Sequence, residues 1–202
     1  HNNGTRTDYW KQDLPHANYL VMIAIGQFGL YKDEWNEIPV WYYLDESYLP
    51  YALDIFGNTP KMIEFYSNLL DYPYPWDKYH QVVVKNFVSG AMENTSAVIH
   101  GDFVQLTNRE LLDESHEDVI AHELFHHWFG DLVTCESWSE LTLNEGFASY
   151  GEFLWQDYYY GHEEAKLNFQ RDLEVYLRDA EFQPKHLIPV SYTHLRAHET
   201  ES

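Results

Sequence analysis

The segment HELFHHWFGDLV, residues 122–133, constrains this chain more than any other part of it. Residues four apart on an α-helix project from the same face, so a helix here would bring the imidazoles of His122 and His126 to one ion. Glu123 lies beside them without being forced to coordinate. This His-Glu-x-x-His spacing is typical of sites in which two histidines bind zinc and the glutamate acts as a general base. His127 points about 100° away and is not expected to be a ligand.

Catalytic zinc usually takes three protein ligands and leaves a fourth position open, so one more donor is expected downstream. One extended pattern places a glycine and a histidine three and six residues after the second histidine, but Phe129 and Leu132 stand there. The other candidate is Glu145 in LNEGFASY, with 18 residues between it and His126. That distance is long enough for a loop and a returning helix.

A third motif, GAMEN, lies upstream at residues 90–94. The three motifs, in this order and spacing, resemble those of the M1 family of zinc aminopeptidases, and the resemblance runs from about residue 19 to 189. It implies that His122, His126 and Glu145 bind one Zn²⁺ ion. It also implies that Glu123 takes a proton from the zinc-bound water and later passes it to the leaving amine.

The same resemblance implies that the substrates are peptides with a free amino terminus. The carboxylate of Glu93 would form an ion pair with the substrate's α-ammonium group and so place the first peptide bond at the metal. Gly90 and Ala91 would leave the backbone open to a bound peptide, with Met92 near the first side-chain pocket and Asn94 completing the segment. Residues 90–94 are therefore the predicted substrate-binding segment.

Two further carboxylates are candidates for supporting the metal ligands. Histidines that bind metal usually donate their second N–H to a carboxylate or a carbonyl. Glu152 follows Glu145 by seven residues on the same predicted helix, and Asp131 follows His126 by five. Both are predicted to hydrogen-bond to a ligand histidine.

The predicted fold class is α+β. Residues 1–45 are expected to be the end of an amino-terminal β-rich domain, and residues 46–189 an incomplete thermolysin-like catalytic domain with a small sheet followed by helices. Apolar runs and turn residues predict the strands, and capping residues with apolar periodicity predict the helices. The predicted strands are Asn18–Phe28, Val40–Leu44, His80–Lys85 and Ala97–Leu106. The predicted helices begin at Thr59, Ser115, residues 143 or 144 and residues 161 or 162.

Composition excludes several classes. A net charge of −21 without a basic stripe disfavours nucleic acid as a partner. The longest apolar run, residues 19–31, is too short to span a membrane. Cys135 is the one cysteine, so it forms no internal disulfide and no cysteine-based zinc site.

The end of the chain departs from the family pattern. Residues 190–200, VSYTHLRAHET, match the translation of a sequencing adapter, so residues 190–202 are expected to be a non-native tail that follows Pro189. Family members carry a tyrosine, several dozen residues beyond the glutamate ligand, that stabilises the oxyanion. Tyr192 is not expected to replace it, and the chain as it stands is expected to be an internal fragment with little activity.

Two alternatives stay open at this stage. One branch of the family shares these motifs and opens epoxides. A non-catalytic family member that serves as a protein-interaction scaffold is the other alternative, although such members usually lose a ligand or the base. The predicted metal ligands, the base and the carboxylate for the substrate's amino terminus are all present here: Glu93, His122, Glu123, His126 and Glu145.

Overall fold

One mixed sheet and the helices that follow it make up the part of the chain that the computed structural model describes, residues 4–182 with side chains to residue 178. The predicted α+β class is confirmed. The predicted tail at residues 190–202, with Tyr192, lies outside the described residues.

The sheet has five strands in the order β1-β2-β3-β5-β4. The three inner strands run parallel, and the two edge strands β1 and β4 run antiparallel to their neighbours. Five of the six residues of the central strand β3 are buried, which agrees with its apolar sequence. The strands are β1 (Gly29–Trp35), β2 (Ile38–Leu44), β3 (Tyr79–Val84), β4 (Ala91–Met92) and β5 (Ala97–Gly101).

The predicted strand Asn18–Phe28 is wrong. Residues Asn18–Leu20 form a short 3-10 turn that buries Leu20, and residues 21–28 form no strand. An apolar run becomes a strand only where another strand satisfies its backbone groups. No described residues pair with this run, and the side chains of Val21 and Ile25 are exposed.

The connection between the first two strands is short. Strand β1 continues to Trp35, and only Asn36 and Glu37 connect it to β2. Both residues have a positive φ, as in the tight two-residue turns that suit a twisted hairpin. Strands β1 and β2 form one sheet with β3 to β5, across the predicted domain boundary at residue 45. The division into domains stays a prediction.

The other predicted elements are found with small shifts at their ends. The predicted strand 97–106 ends at Gly101 and continues as a 3-10 turn. The helix predicted from Thr59 does begin there, but Asn58 holds the capping position, and the Thr59 hydroxyl accepts a hydrogen bond from Gln81 instead. The helices are α1 (Ala52–Phe56), α2 (Thr59–Leu69), α3 (Glu117–Phe125), α4 (Glu145–Tyr159) and α5 (His162–Phe182). Among the described residues, no helix has the length and apolar character needed to cross a bilayer.

Helices α3 and α4 pack closely because Gly151 has no side chain. A Cβ atom at Gly151 would lie 2.5 Å from Cγ of Phe125 on α3. The Gly151 carbonyl also accepts a hydrogen bond from the buried Tyr66 hydroxyl of α2, at 2.9 Å. Three helices therefore meet at this glycine, and their contact sets the distance between the end of α3 and the start of α4.

Replacing Gly151 with alanine should destabilise this junction. Alanine favours a helix by about 1 kcal/mol over glycine, but overpacking a core costs roughly 1–3 kcal/mol and occasionally more. At a 2.5 Å separation from a fixed ring, we expect the clash to prevail and the melting temperature of the full-length protein to fall. Ser149→Ala, at a half-buried position on the same helix, is the control and should change it little. An unchanged melting temperature for Gly151→Ala would contradict this account of the packing.

Candidate functional site

Helix α3 carries His122 and Glu123 in its last turn, and His126 is its C-cap residue. Glu117 and Asp118 occupy its first turn, where their negative charges stabilise the helix by interacting with the positive end of its dipole. The backbone N–H of His126 still donates to the carbonyl of His122, at 3.2 Å, so the two imidazoles keep the helical four-residue spacing. All three side chains of the motif are buried.

The turn after α3 fixes the ring of His126. Its Nδ1 lies 3.0 Å from the carbonyl oxygen of Phe129, which can only accept, so Nδ1 carries the proton. Gly130 follows with φ +140°, and a Cβ atom there would lie 2.9 Å from the same Nδ1. The turn therefore requires glycine, and in the neutral ring of His126 the nitrogen with the lone pair is Nε2.

Helix α4 brings the third donor to the same place. Glu145 is its first residue, and its Oε2 lies 3.2 Å from Nε2 of His122 and 3.5 Å from Nε2 of His126. The two Nε2 atoms are 3.0 Å apart. The structure thus brings together all three predicted metal ligands, each of them buried.

This donor set fits a zinc ion. The ring of His122 donates its Nδ1–H to the carboxylate of Glu152, so in the neutral ring Nε2, like that of His126, is the nitrogen that presents a lone pair. Two imidazole nitrogens and a carboxylate oxygen that face one point repel each other unless a positive charge lies among them. Two histidines and one glutamate form a ligand set that zinc takes in hydrolytic enzymes.

The electrostatics of the three groups also attract positive charge. Burial lowers the pKa of His122, but its hydrogen bonds with Glu145 and Glu152 outweigh burial and raise that pKa well above its ordinary value. Burial likewise opposes protonation of His126, and the nearby charges of Glu93 and Glu145 raise its pKa to about 9. Burial raises the pKa of Glu145, but the two histidines hold it far below the usual range. Protons and a metal ion therefore compete for this site.

Two further carboxylates face the same space. Glu93 and Glu123 are 2% and 1% exposed, and each places a carboxylate oxygen within 4.8 Å of a ring nitrogen of His126 and of the other carboxylate. Glu93, Glu123 and His126 thus form a second group of donors that could hold a metal ion, and it shares His126 with the first group. The predicted base and the predicted ammonium-binding carboxylate lie side by side.

The predicted substrate-binding segment forms an edge of the sheet. Ala91 and Met92 make up β4, which among residues 4–182 pairs with β5 alone, and Gly90 accepts a backbone hydrogen bond from Gly101. Beyond the strand, Glu93 turns inward to the metal ligands, and the buried Asn94 donates to the carbonyl of Leu20 at 3.3 Å. The segment therefore combines an open strand edge with a buried carboxylate.

The two predicted supporting carboxylates have different surroundings. Oε1 of Glu152 lies 2.5 Å from Nδ1 of His122, the ring nitrogen that does not face Glu145. Asp131 faces His127 instead, with Oδ2 3.6 Å from its Nε2, while Nδ1 of His126 bonds to a carbonyl. Burial and the charge of Glu93 raise the pKa of Asp131 well above its ordinary value.

The histidine next to His126 connects α3 to the turn that follows the substrate-binding segment. Nδ1 of His127 donates to the carbonyl of Glu123 at 3.1 Å, and Nε2 accepts from the backbone N–H of Ser96 at 2.9 Å. Burial lowers the pKa of His127 to about 3, so the ring is neutral and both bonds persist at ordinary pH. Sequence reasoning assigned this residue only to packing or surface.

Two other residues of the site were missed. The Tyr19 hydroxyl donates to Oε1 of Glu93 at 3.3 Å and accepts from Nδ2 of Asn144 at 3.0 Å. Asn144 directly precedes the ligand Glu145. No local signal could have identified Tyr19, because its contacts are 74 and 125 residues away along the chain.

Comparisons with known proteins agree with this geometry. The profile of the Peptidase family M1 domain matches residues 51–198. The chain is similar to aminopeptidase N from Homo sapiens, with 44% identity over 152 residues that cover 70% of this chain and 15% of that protein. It is also similar to aminopeptidase N from Canis lupus familiaris, 41% identical with the same coverage, and to that from Streptomyces lividans, 37% identical over 67% of this chain and 17% of the relative.

The chain therefore spans less than a fifth of the length of these relatives. The matched residues nevertheless include GAMEN, all of α3 and the start of α4, which are the parts that form the candidate site. A family profile that covers most of the chain, together with these identities, shows that the chain belongs to peptidase family M1.

Proposed function

We propose that this chain forms the zinc centre and the amino-terminus-binding edge of a metalloaminopeptidase. The observation that carries the proposal is the convergence of three buried metal donors, His122, His126 and Glu145, with Glu93 and Glu123 beside them. The names of the relatives agree with this activity. The whole protein would remove the first residue from peptides.

In this proposal His122, His126 and Glu145 hold one Zn²⁺ ion, and the neighbouring groups keep these ligands in place. The Phe129 carbonyl fixes the ring of His126, and the Glu152 carboxylate fixes that of His122. A bound zinc ion would supply Lewis-acid polarisation of the scissile carbonyl and would lower the pKa of the attacking water.

Glu123 is positioned to transfer the proton. Its carboxylate is buried and lies within 4.8 Å of the nearest ring nitrogen of His126, so a water molecule between the metal ligands and the peptide would be within its reach. As a general base it would accept a proton from that water. As a general acid it would then return the proton to the amine that leaves.

Glu93 would select the free amino terminus. A buried carboxylate attracts an ammonium group strongly, because little solvent screens the pair. Strand β4 offers its open edge to an extended peptide, in the manner of strand addition to a sheet. The backbone would thus orient the peptide while Glu93 limits it to one residue before the scissile bond.

We also propose the finer fold assignment that the resemblance implies. Strands β3 to β5, followed by the helices that carry the proposed metal ligands, support a thermolysin-like catalytic domain for residues 46–189. Three apolar residues before β1 are exposed to solvent: Val21 to 66%, Ile23 to 82% and Ile25 to 93% of their full area. This exposure supports a neighbouring β domain that covers the segment before β1.

The metal proposal predicts one zinc ion per molecule of the full-length protein. His126→Ala or Glu145→Ala should remove it, because two remaining ligands bind zinc weakly. Elemental analysis after dialysis measures this directly. His162→Ala removes an exposed histidine outside the site and is the matched control. A full zinc content in Glu145→Ala would contradict the assignment.

Changing the base should separate metal binding from catalysis. Glu123→Gln keeps the size of the side chain but cannot take a proton, and general bases contribute roughly 10²–10⁴-fold to rates. We therefore expect kcat to fall by about that factor while the zinc content is retained. Glu136→Gln, a glutamate outside the ligand group, should leave kcat unchanged. An active Glu123→Gln variant would exclude Glu123 as the base.

Loss of the carboxylate beside His122 should weaken the metal site without abolishing it. Partners of this kind are worth about 10–100-fold in metal affinity, so Glu152→Gln should release zinc to a chelator at a correspondingly lower chelator concentration. Gln156→Ala, one turn further along α4 and not in contact with a ligand, is the control. Equal chelator resistance of wild type and Glu152→Gln would count against this role.

Exopeptidase selectivity should depend on Glu93. The wild type should hydrolyse an amino-acid anilide with a free amine and scarcely hydrolyse its N-acetyl counterpart. Glu93→Gln should lose most of that preference, chiefly through a higher KM for the free amine. Equal wild-type rates on the two substrates would show that the protein is not an aminopeptidase.

A further inference from the structure

The chain segment before the sheet lies directly against the substrate-binding segment. Residues 16–20 and 93–95 are joined by three hydrogen bonds that involve side chains. His16 contacts the Thr95 hydroxyl at 3.3 Å, and Tyr19 and Leu20 bond to Glu93 and Asn94 as described above. Three consecutive residues, Glu93, Asn94 and Thr95, are therefore hydrogen-bonded to a segment that precedes every strand of the sheet.

The hydrogen bond from Tyr19 to Glu93 is the last of three connected hydrogen bonds. The donor and the acceptor of each can be assigned. The Cys135 N–H donates to Oδ1 of Asn144 at 3.1 Å, which makes Nδ2 the donating end of that amide. Nδ2 donates to the Tyr19 oxygen, and the hydroxyl proton is then left for Oε1 of Glu93. With Glu93 ionised as an acceptor, this direction of donation satisfies all three contacts.

Packing holds the Tyr19 ring as well as its hydroxyl. The ring meets the Trp138 ring edge to face, with centroids 5.1 Å apart. Burial and the neighbouring Glu93 raise the pKa of Tyr19 far above its ordinary value, so the hydroxyl keeps the proton that it donates. Two hydrogen bonds and the packing of its ring thus hold the Tyr19 hydroxyl in place before any substrate arrives.

We propose that Tyr19 is a positioning residue that fixes the Glu93 carboxylate for the substrate's α-ammonium group. The inference rests on the proposed aminopeptidase function and extends it to a residue outside the family's motifs in this chain. A carboxylate on a three-bond side chain samples several rotamers in a buried space, and a charged hydrogen bond selects one of them. Tyr19 also connects this carboxylate to Asn144, and so to the residue next to the metal ligand Glu145.

The direct test is Tyr19→Phe in the full-length protein, because it removes one oxygen and keeps the ring. A hydrogen bond to a charged group is worth enough to change binding by roughly tenfold or more. We therefore expect KM for the free-amine anilide to rise by about tenfold with kcat largely retained, since the ammonium contact is present in both ground and transition states. Zinc content should not change. Tyr42→Phe is the matched control: it also removes a buried hydroxyl that donates to a carboxylate, Asp33, and should leave KM unchanged.

A double-mutant cycle distinguishes positioning from general loss of structure. If Tyr19 acts through Glu93, then Tyr19→Phe should have no further effect on KM in a Glu93→Gln background. Additive effects, or a KM for Tyr19→Phe within twofold of wild type, would overturn the inference while the proposed function stands. A wild type that hydrolyses free and acetylated substrates equally would overturn both.

Discussion

The lone pairs that meet between α3 and α4 are the constraint on which the rest of this structure depends. Nε2 of His122, Nε2 of His126 and Oε2 of Glu145 lie 3.0–3.5 Å apart, although like groups at that distance repel. Apolar contact between the helices, made possible at Gly151, keeps the three atoms together. The fold therefore holds the three atoms close together, and the metal ion that we propose would supply the positive charge that stabilises the arrangement.

The same place concentrates negative charge that the fold has to tolerate. Glu93, Glu123, Asp131 and Glu145 are all at most 2% exposed. Burying carboxylates is costly unless they are paired with positive charge or bonded to donors. A metal ion and a substrate ammonium group are both positively charged, so the two partners that we propose would relieve this cost together. Binding and stability are coupled at the site for that reason.

The sequence predicted what depends on local spacing. Two histidines four residues apart on a helix, and Glu152 seven residues after Glu145, need only helical periodicity, and the structure has both on helices. It did not predict Tyr19, because the apolar run around Tyr19 has the pattern of a strand, while its actual partners are distant in sequence. Asp131 shows the same limit: its position five residues after His126 lies in a turn, where the side chain's direction follows from Gly130 rather than from any periodicity.

The position of Tyr19 has a consequence for the order in which the site forms. The four-residue spacing of α3 and the short return to α4 close small loops, which costs little chain entropy. The contact between Tyr19 and Glu93 closes a loop across 74 residues and requires the sheet to be complete. Contacts of such high sequence separation form late in folding. When the complete chain refolds, we therefore expect the three metal donors to come together before Tyr19 reaches Glu93.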